Sequence, residues 1–207
     1  MDVRERILEE SEMLFFRYGV RRVTMDDVAK ALGMSKKTLY QYYSDKDELV
    51  AEATQAHLDR ERIEFDKIFR NSENSIKSLF LISQCMRKSL SEINPSVLFE
   101  LKRFYPKSWE YWTEFKDQFI FKSIVENIKK GIEEEYFRSE VNAEILANLR
   151  VMEIQILFDR ESFPSEKFNF MEVQMQLFNH FVYGIATEKG RKLYKEYLEN
   201  ENNESYE

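Results

Sequence analysis

The chain has 207 residues, a formal net charge of −7, 33% charged residues, five Gly, three Pro and a single Cys. That length suffices for a small domain beside a larger one, and the scarcity of Gly and Pro predicts an all-α fold of long helices with short connections. No run of 18 apolar residues occurs and the N-terminus has no signal-peptide architecture, so neither a membrane span nor export is expected; the lone Cys85 cannot form an internal disulfide and suits a reducing cytoplasm.

In chain order, Val3 to Tyr18 reads as a first helix, with Ile7, Leu8, Leu14, Phe15 and Tyr18 on one apolar stripe and Gly19 ending it. Arg21 and Arg22 follow, either as solvated loop charges or as contacts to a phosphate or a minor groove. The next stretch, Thr24 to Leu49, organises the rest. Thr24 and Asp27 have the spacing of a capping box, Val28, Ala29 and Leu32 repeat at helical spacing, and Gly33 stands where a left-handed C-cap belongs. Ser35 is a second N-cap, opening a short helix anchored by Leu39. Ser44 with Asp47 repeats the start signal before a third helical run.

Two helices joined by a short Gly-containing turn describe a helix-turn-helix, whose second helix enters the major groove of DNA. Around Leu39 stand Lys36, Lys37, Thr38, Tyr40, Gln41 and Tyr42. Lysines and hydroxyls suit phosphates, Gln can bond adenine through both amide atoms, and Lys reaches guanine acceptors. Lys46 falls in the first turn of the following helix, where backbone N–H groups also favour a phosphate. From Gly19 to Lys46 there are six basic and three acidic residues, a local +3 that leaves −10 for the remainder. A basic patch on an acidic body is compatible with DNA binding and predicts strong salt dependence. The plain alternative is a solvated polar helix on a small bundle.

The ordered block T-x-x-D-V-A-x-x-x-G-x-S-x-x-T-L-Y-x-Y-Y-x-x-K-x-x-L of residues 24–49 resembles the DNA-binding signature of the TetR family of bacterial transcriptional regulators. The resemblance covers about the first 50 residues. It implies a three-helix DNA-reading domain over 1–48 and a larger helical ligand-binding and dimerisation domain over 49–207. It also implies phosphate contacts at Thr24, Ser35, Tyr40, Tyr42 and Lys46, and base reading by Lys36, Lys37, Thr38 and Gln41. Tyr43 stands where the family more often has Phe, and is expected to pack inward with its hydroxyl at the edge. The function implied is that of a homodimeric repressor on a palindromic operator, released by a small apolar or amphipathic ligand; activators share the signature.

Beyond the block, the helix opened at Ser44 is expected to run to about Asn71, about 38 Å at 1.5 Å per residue, long enough to link two domains. In the family this helix carries the ligand signal. His57 lies on it, as a packed or solvated residue rather than a metal ligand. Ser75 to Ile93 reads as the next helix, residues 95–105 as a shorter one, and Pro106 to about Tyr136 as a long one. Nine aromatics fall between Phe99 and Phe121. Such density can line an apolar pocket or form an ordinary core; the pocket candidates are Met86, Phe99, Phe104, Trp109, Trp112, Phe115 and Phe119.

Asn142 to Phe158 and Phe170 to Ile185 read as amphipathic helices, joined by a polar connection from Asp159 to Asn169. They occupy the places of the family's dimer helices, with Leu146, Leu149, Met152, Ile156, Leu177, Phe178, Phe181 and Val182 as the expected interface. A short helix from Thr187 to Tyr197 and a frayed acidic tail, NENNESYE, end the chain. No phosphate loop, Cys-x-x-Cys, His-Glu-x-x-His or nucleophile elbow is present, and two His with one Cys offer little for a metal or covalent site. No enzyme activity, metal or cofactor is expected. A rival of another class is a small-molecule carrier or protein-interaction protein whose helix-turn-helix no longer binds DNA.

Overall fold

The computed structural model describes residues 2–159, 161–164 and 166–204, with side chains described to residue 201. Among them are eleven α-helices and one π-helical segment: α1 (Val3–Tyr18), α2 (Met25–Ala31), α3 (Lys36–Leu39), α4 (Lys46–Asn71), α5 (Ser75–Glu92), α6 (Val97–Phe104), α7 (Pro106–Glu114), the π segment (Phe115–Ile120), α8 (Phe121–Glu133), α9 (Ala143–Leu157), α10 (Phe170–Ile185) and α11 (Glu188–Glu204). The all-α expectation holds; the one β feature described is an isolated bridge between Phe137 and Ala186.

Packing divides the chain into two compact units that interleave in sequence. The first takes the chain up to Arg62 together with Leu90–Phe115; the second takes Ile63–Ser89 and the chain from Lys116 onward. The first is built around Ile7, Phe15, Val28, Leu39, Tyr43 and Leu49, as the three-helix pattern predicts. Val97, Leu101 and Tyr105 of the α6 region enter the same core. Glu100 ties that region to the loop after α1, accepting the Arg21 N–H at 2.8 Å and the Ser96 hydroxyl at 2.8 Å. In the second unit α8 and α10 both pack on α9, around Ile128, Phe137, Ala147, Val182 and Tyr194.

Several expected boundaries move. In place of one helix from Pro106 to about Tyr136, the chain forms α7, the π segment and α8. A π turn holds more residues than an α turn, so it re-phases the apolar stripe between α7 and α8. α8 ends at Glu133 and the reversal comes at Glu135 with φ 62, while Gly131 inside the helix leaves room for the Phe137 ring, which a Cβ there would overlap. The last helix reaches Glu204 rather than Tyr197, so the acidic tail is helical up to that residue; residues 205–207 lie outside the described ones, as do Arg160 and Ser165 of the expected polar connection.

Candidate nucleic-acid interface

The cap signals set the geometry of the helix-turn-helix. Thr24 takes the Asp27 N–H on its hydroxyl at 3.2 Å while Asp27 Oδ2 takes the Thr24 N–H at 2.9 Å, closing the capping box with Asp in place of Glu. Gly33 is left-handed at φ 66, which turns the chain into α3. Ser35 Oγ accepts the Thr38 N–H at 3.0 Å and caps α3. After Leu39 the chain tightens: the Gln41 N–H reaches Thr38 O and the Tyr42 N–H reaches Leu39 O, an i→i+3 pattern. At α4 the expected Ser44–Asp47 pair is replaced. Asp45 Oδ1 takes the Glu48 N–H at 2.8 Å, and Glu48 takes both the N–H and the hydroxyl of Ser44.

Leu39 and Tyr43 are fully buried and fix the segment to the core. That leaves Ser35, Lys36, Lys37, Tyr40 and Gln41 exposed along one short stretch, with Thr38 and Tyr42 half-buried; Thr24 is exposed at the start of α2. A rigid backbone bearing polar and cationic side chains outward is what groove recognition needs.

Two of the lysines are partly committed. Lys36 Nζ lies 2.9 Å from Asp26 Oδ1 on the neighbouring helix, both groups exposed. Lys46 turns inward, with Nζ 3.4 Å from Arg21 O and within 6 Å of the Phe15 and Tyr105 rings (5.8 and 5.9 Å). Burial lowers its pKa, against the nearby carboxylates Glu100 and Asp47. Arg21, one of the two loop arginines, is stacked over the Phe104 ring at 4.2 Å.

Sequence reasoning misses the residues that hold this head together. Arg4 Nη2 meets Glu52 Oε1 at 2.5 Å, Nη1 reaches the Tyr42 carbonyl at 3.3 Å, and the guanidinium lies 4.7 Å from the Tyr43 ring centroid. The Tyr43 hydroxyl donates to Glu52 Oε2 at 3.2 Å, so the inward Tyr finds a polar exit; burial and the Glu52 charge push its pKa up to about 12. Between α1 and α4, the buried Glu12 carboxylate is bonded to His57 Nδ1 at 2.9 Å and paired with Arg60, while the His57 ring stacks on Phe16. The partners of Arg4 and Glu12 stand 38 to 48 positions away in the chain, and no local periodicity signals them.

The other candidate residues are dispersed. Phe99, Phe104, Trp109, Trp112 and Phe115 belong to the first unit, Met86 and Phe119 to the second. Phe99 and Phe104 are exposed rather than pocket-lining in their own unit; Trp109 and Trp112 are half-buried and Phe115 is buried. On α9, Ile145 (65% exposed), Leu149 (48%), Met152 (58%) and Ile156 (43%) form a continuous apolar stripe open to solvent. Leu146 and Leu177 are half-buried. Phe178, Phe181 and Val182 pack inside the chain's own core, which leaves them no surface to offer a partner.

Comparison with known proteins adds the family context. Residues 7–53 match the model of the bacterial regulatory proteins of the tetR family. The chain is 26% identical over 187 residues to the uncharacterised HTH-type transcriptional regulator YvaF of Bacillus subtilis, covering 89% of this chain and 96% of that one. It is 23% identical over 146 residues to the HTH-type transcriptional repressor KstR2 of Mycobacterium tuberculosis, covering 69% and 73%. In fold it is similar to a transcriptional regulator from Saccharomonospora viridis solved in complex with choline, at a TM-score of 0.73 and 18% identity over 89% of this chain and 98% of that one.

Proposed function

We infer the mode of action from the family to which the chain belongs, the TetR family of bacterial transcriptional regulators: two copies bind the two half-sites of a palindromic operator and leave it when a small apolar or amphipathic molecule binds the helical body. The observation that carries this reading is the exposed stretch Ser35–Gln41, held rigid by its caps and by buried Leu39 and Tyr43. Lys36, Lys37, Thr38 and Gln41 of this stretch read base edges, while its Ser35 and Tyr40, with Thr24 before it and Tyr42 after it, meet phosphates. Lys46 supports the head from within and reaches a phosphate only by leaving Arg21 O. The functional division is residues 1–48 for DNA and 49–207 for ligand and dimer.

Dimerisation has a physical motive, because one small head makes too few contacts, whereas a two-fold pair reads two half-sites. The open stripe of Ile145, Leu149, Met152 and Ile156 is the surface we assign to it, with Leu146 and Leu177 at its margin. The protein acts as a repressor in the cytoplasm and carries out no catalytic step. No described helix is long and apolar enough to cross a membrane.

Selection from random duplexes at low and moderate salt tests the reading. An enriched palindrome that survives moderate salt is the expected result. Only sequence-blind binding, persisting after unfolding and refolding to strip any carried ligand, would move the assignment to a carrier protein.

A further inference from the structure

α9 brings a charge into the core of the second unit. Arg150 is 2% exposed, and its Cζ lies 5.1 Å from the Phe178 ring centroid and 5.9 Å from that of Phe181. Its Nη1 donates to Glu153 at 3.0 Å, while the buried Nη2 has no hydrogen-bond partner among the described residues. One turn before Phe178 on α10, and on the same face, Gln174 is completely buried. Its Nε2 faces the thioether of Met86 on α5 at 3.6 Å, a weak acceptor, and its Oε1 has no partner among the described residues. Turning the amide over would set its oxygen against the sulfur, acceptor to acceptor, so the carbonyl is the unpaired end.

A buried N–H and a buried carbonyl without partners each cost free energy, and native cores rarely leave such groups unpaired. Both flank Phe178, one a donor and the other an acceptor. We propose that Arg150 and Gln174 form the head-group end of a small-molecule site at the junction of α5, α9 and α10. Its ligand is uncharged and apolar in body, with a hydroxyl or carboxamide that accepts from Arg150 and donates to Gln174. The proposal rests on the ligand-responsive reading above and deepens it by naming the ligand class.

Charge decides the class. Arg150 and Glu153 already make a neutral pair. A carboxylate would add an uncompensated buried anion facing the Gln174 carbonyl, and an ammonium would face the guanidinium; neither is repaid inside a core. A quaternary ammonium such as the choline held by the Saccharomonospora viridis protein is therefore the wrong ligand here. Met86, Phe178 and Phe181 supply the apolar surroundings.

The test uses the full chain and two sets of probes, a decyl and a naphthyl body, each carrying a hydroxyl, carboxamide, carboxylate or ammonium head. Calorimetric titration and thermal unfolding should show the neutral heads binding at least tenfold tighter than the charged heads on the same body. Gln174→Leu removes an unpaired carbonyl at similar volume, so it should keep or raise the unfolding midpoint while erasing the neutral-head preference. Arg150→Met should also erase the preference but lower the unfolding midpoint, because it strands the Glu153 carboxylate, and if that variant misfolds the Gln174→Leu result decides. Charged heads binding equally well, no binding by any of the eight probes, or a preference intact in a folded Gln174→Leu protein would each overturn the site. Operator binding on the same preparation separates the two claims. Head-group preference without sequence-specific DNA binding would reject the regulator's mechanism and leave the site standing, and the converse would reject the site alone.

Discussion

Gly131 shows how one side chain can decide a helix. A methyl group there would improve helix propensity by up to about 1 kcal/mol, but it would overlap the buried Phe137 ring, which is packed into the core of its unit. Overlap in a closed core outweighs propensity. Gly131→Ala should therefore lower stability by about 1–3 kcal/mol, visible as a lower denaturant midpoint at unchanged slope. At the recognition surface, Gln41 and Tyr42 have different surroundings. Gln41 is exposed, so Gln41→Ala should relax discrimination at one base pair by roughly 1–3 kcal/mol. Tyr42 is half-buried with its carbonyl held by Arg4, and Tyr42→Ala should weaken all operators about equally. Equal losses at every sequence for both variants, in a binding-site competition assay, would reverse the assignment.

Between elements, α1 and α4 are joined through a charge rather than by apolar packing alone. Burial raises the pKa of Glu12, but hydrogen bonds from His57 and Arg60 and their charges outweigh it, so the carboxyl titrates below its ordinary 4.5. The sign of the linkage follows: a lowered folded-state pKa stabilises the protein above the unfolded value, and that stability disappears as pH falls below 4.5 through the folded-state value. Glu12→Gln should cost about 1–3 kcal/mol near pH 7 through lost charge-assisted bonds. The stability gap between it and the wild type should close as pH falls below about 4.5, and chemical denaturation across that range measures it.

For the whole molecule, the proposed mode of action takes two copies, and the chain displays a surface suited to that. Four large apolar side chains exposed along one face of α9 are out of keeping with a monomer in water. A charge in the middle of the stripe, Leu149→Glu or Met152→Glu, should convert a dimer to a monomer in sedimentation experiments, with palindrome affinity collapsing toward single-site binding. Phe178, Phe181 and Val182 would not report on the interface, since changing them disrupts the core of the subunit itself. The same dimer should show steep salt dependence, with log K falling by about 0.9 per phosphate contact per decade of salt.

Local chemistry was enough to read the DNA-binding head from the chain. Caps, Gly turns and apolar periodicity act within four or five residues, so Thr24, Gly33, Ser35 and Leu39 announce a helix-turn-helix without tertiary information, and the spans of α1 and α10 are as periodicity predicts. What depends on residues far apart in sequence was decided by tertiary packing alone. It placed α6 in the core of the head, let Phe137 take the space beside Gly131, bound Glu12 to His57, turned Lys46 inward, and left Arg150 and Gln174 buried with unpaired atoms. Amphipathic spacing tells which face of a helix is apolar. It does not tell whether that face meets the chain's own core or a partner, because both remove the same surface from water; that is why α9 and α10 read alike in sequence, while only α9 keeps its apolar stripe open.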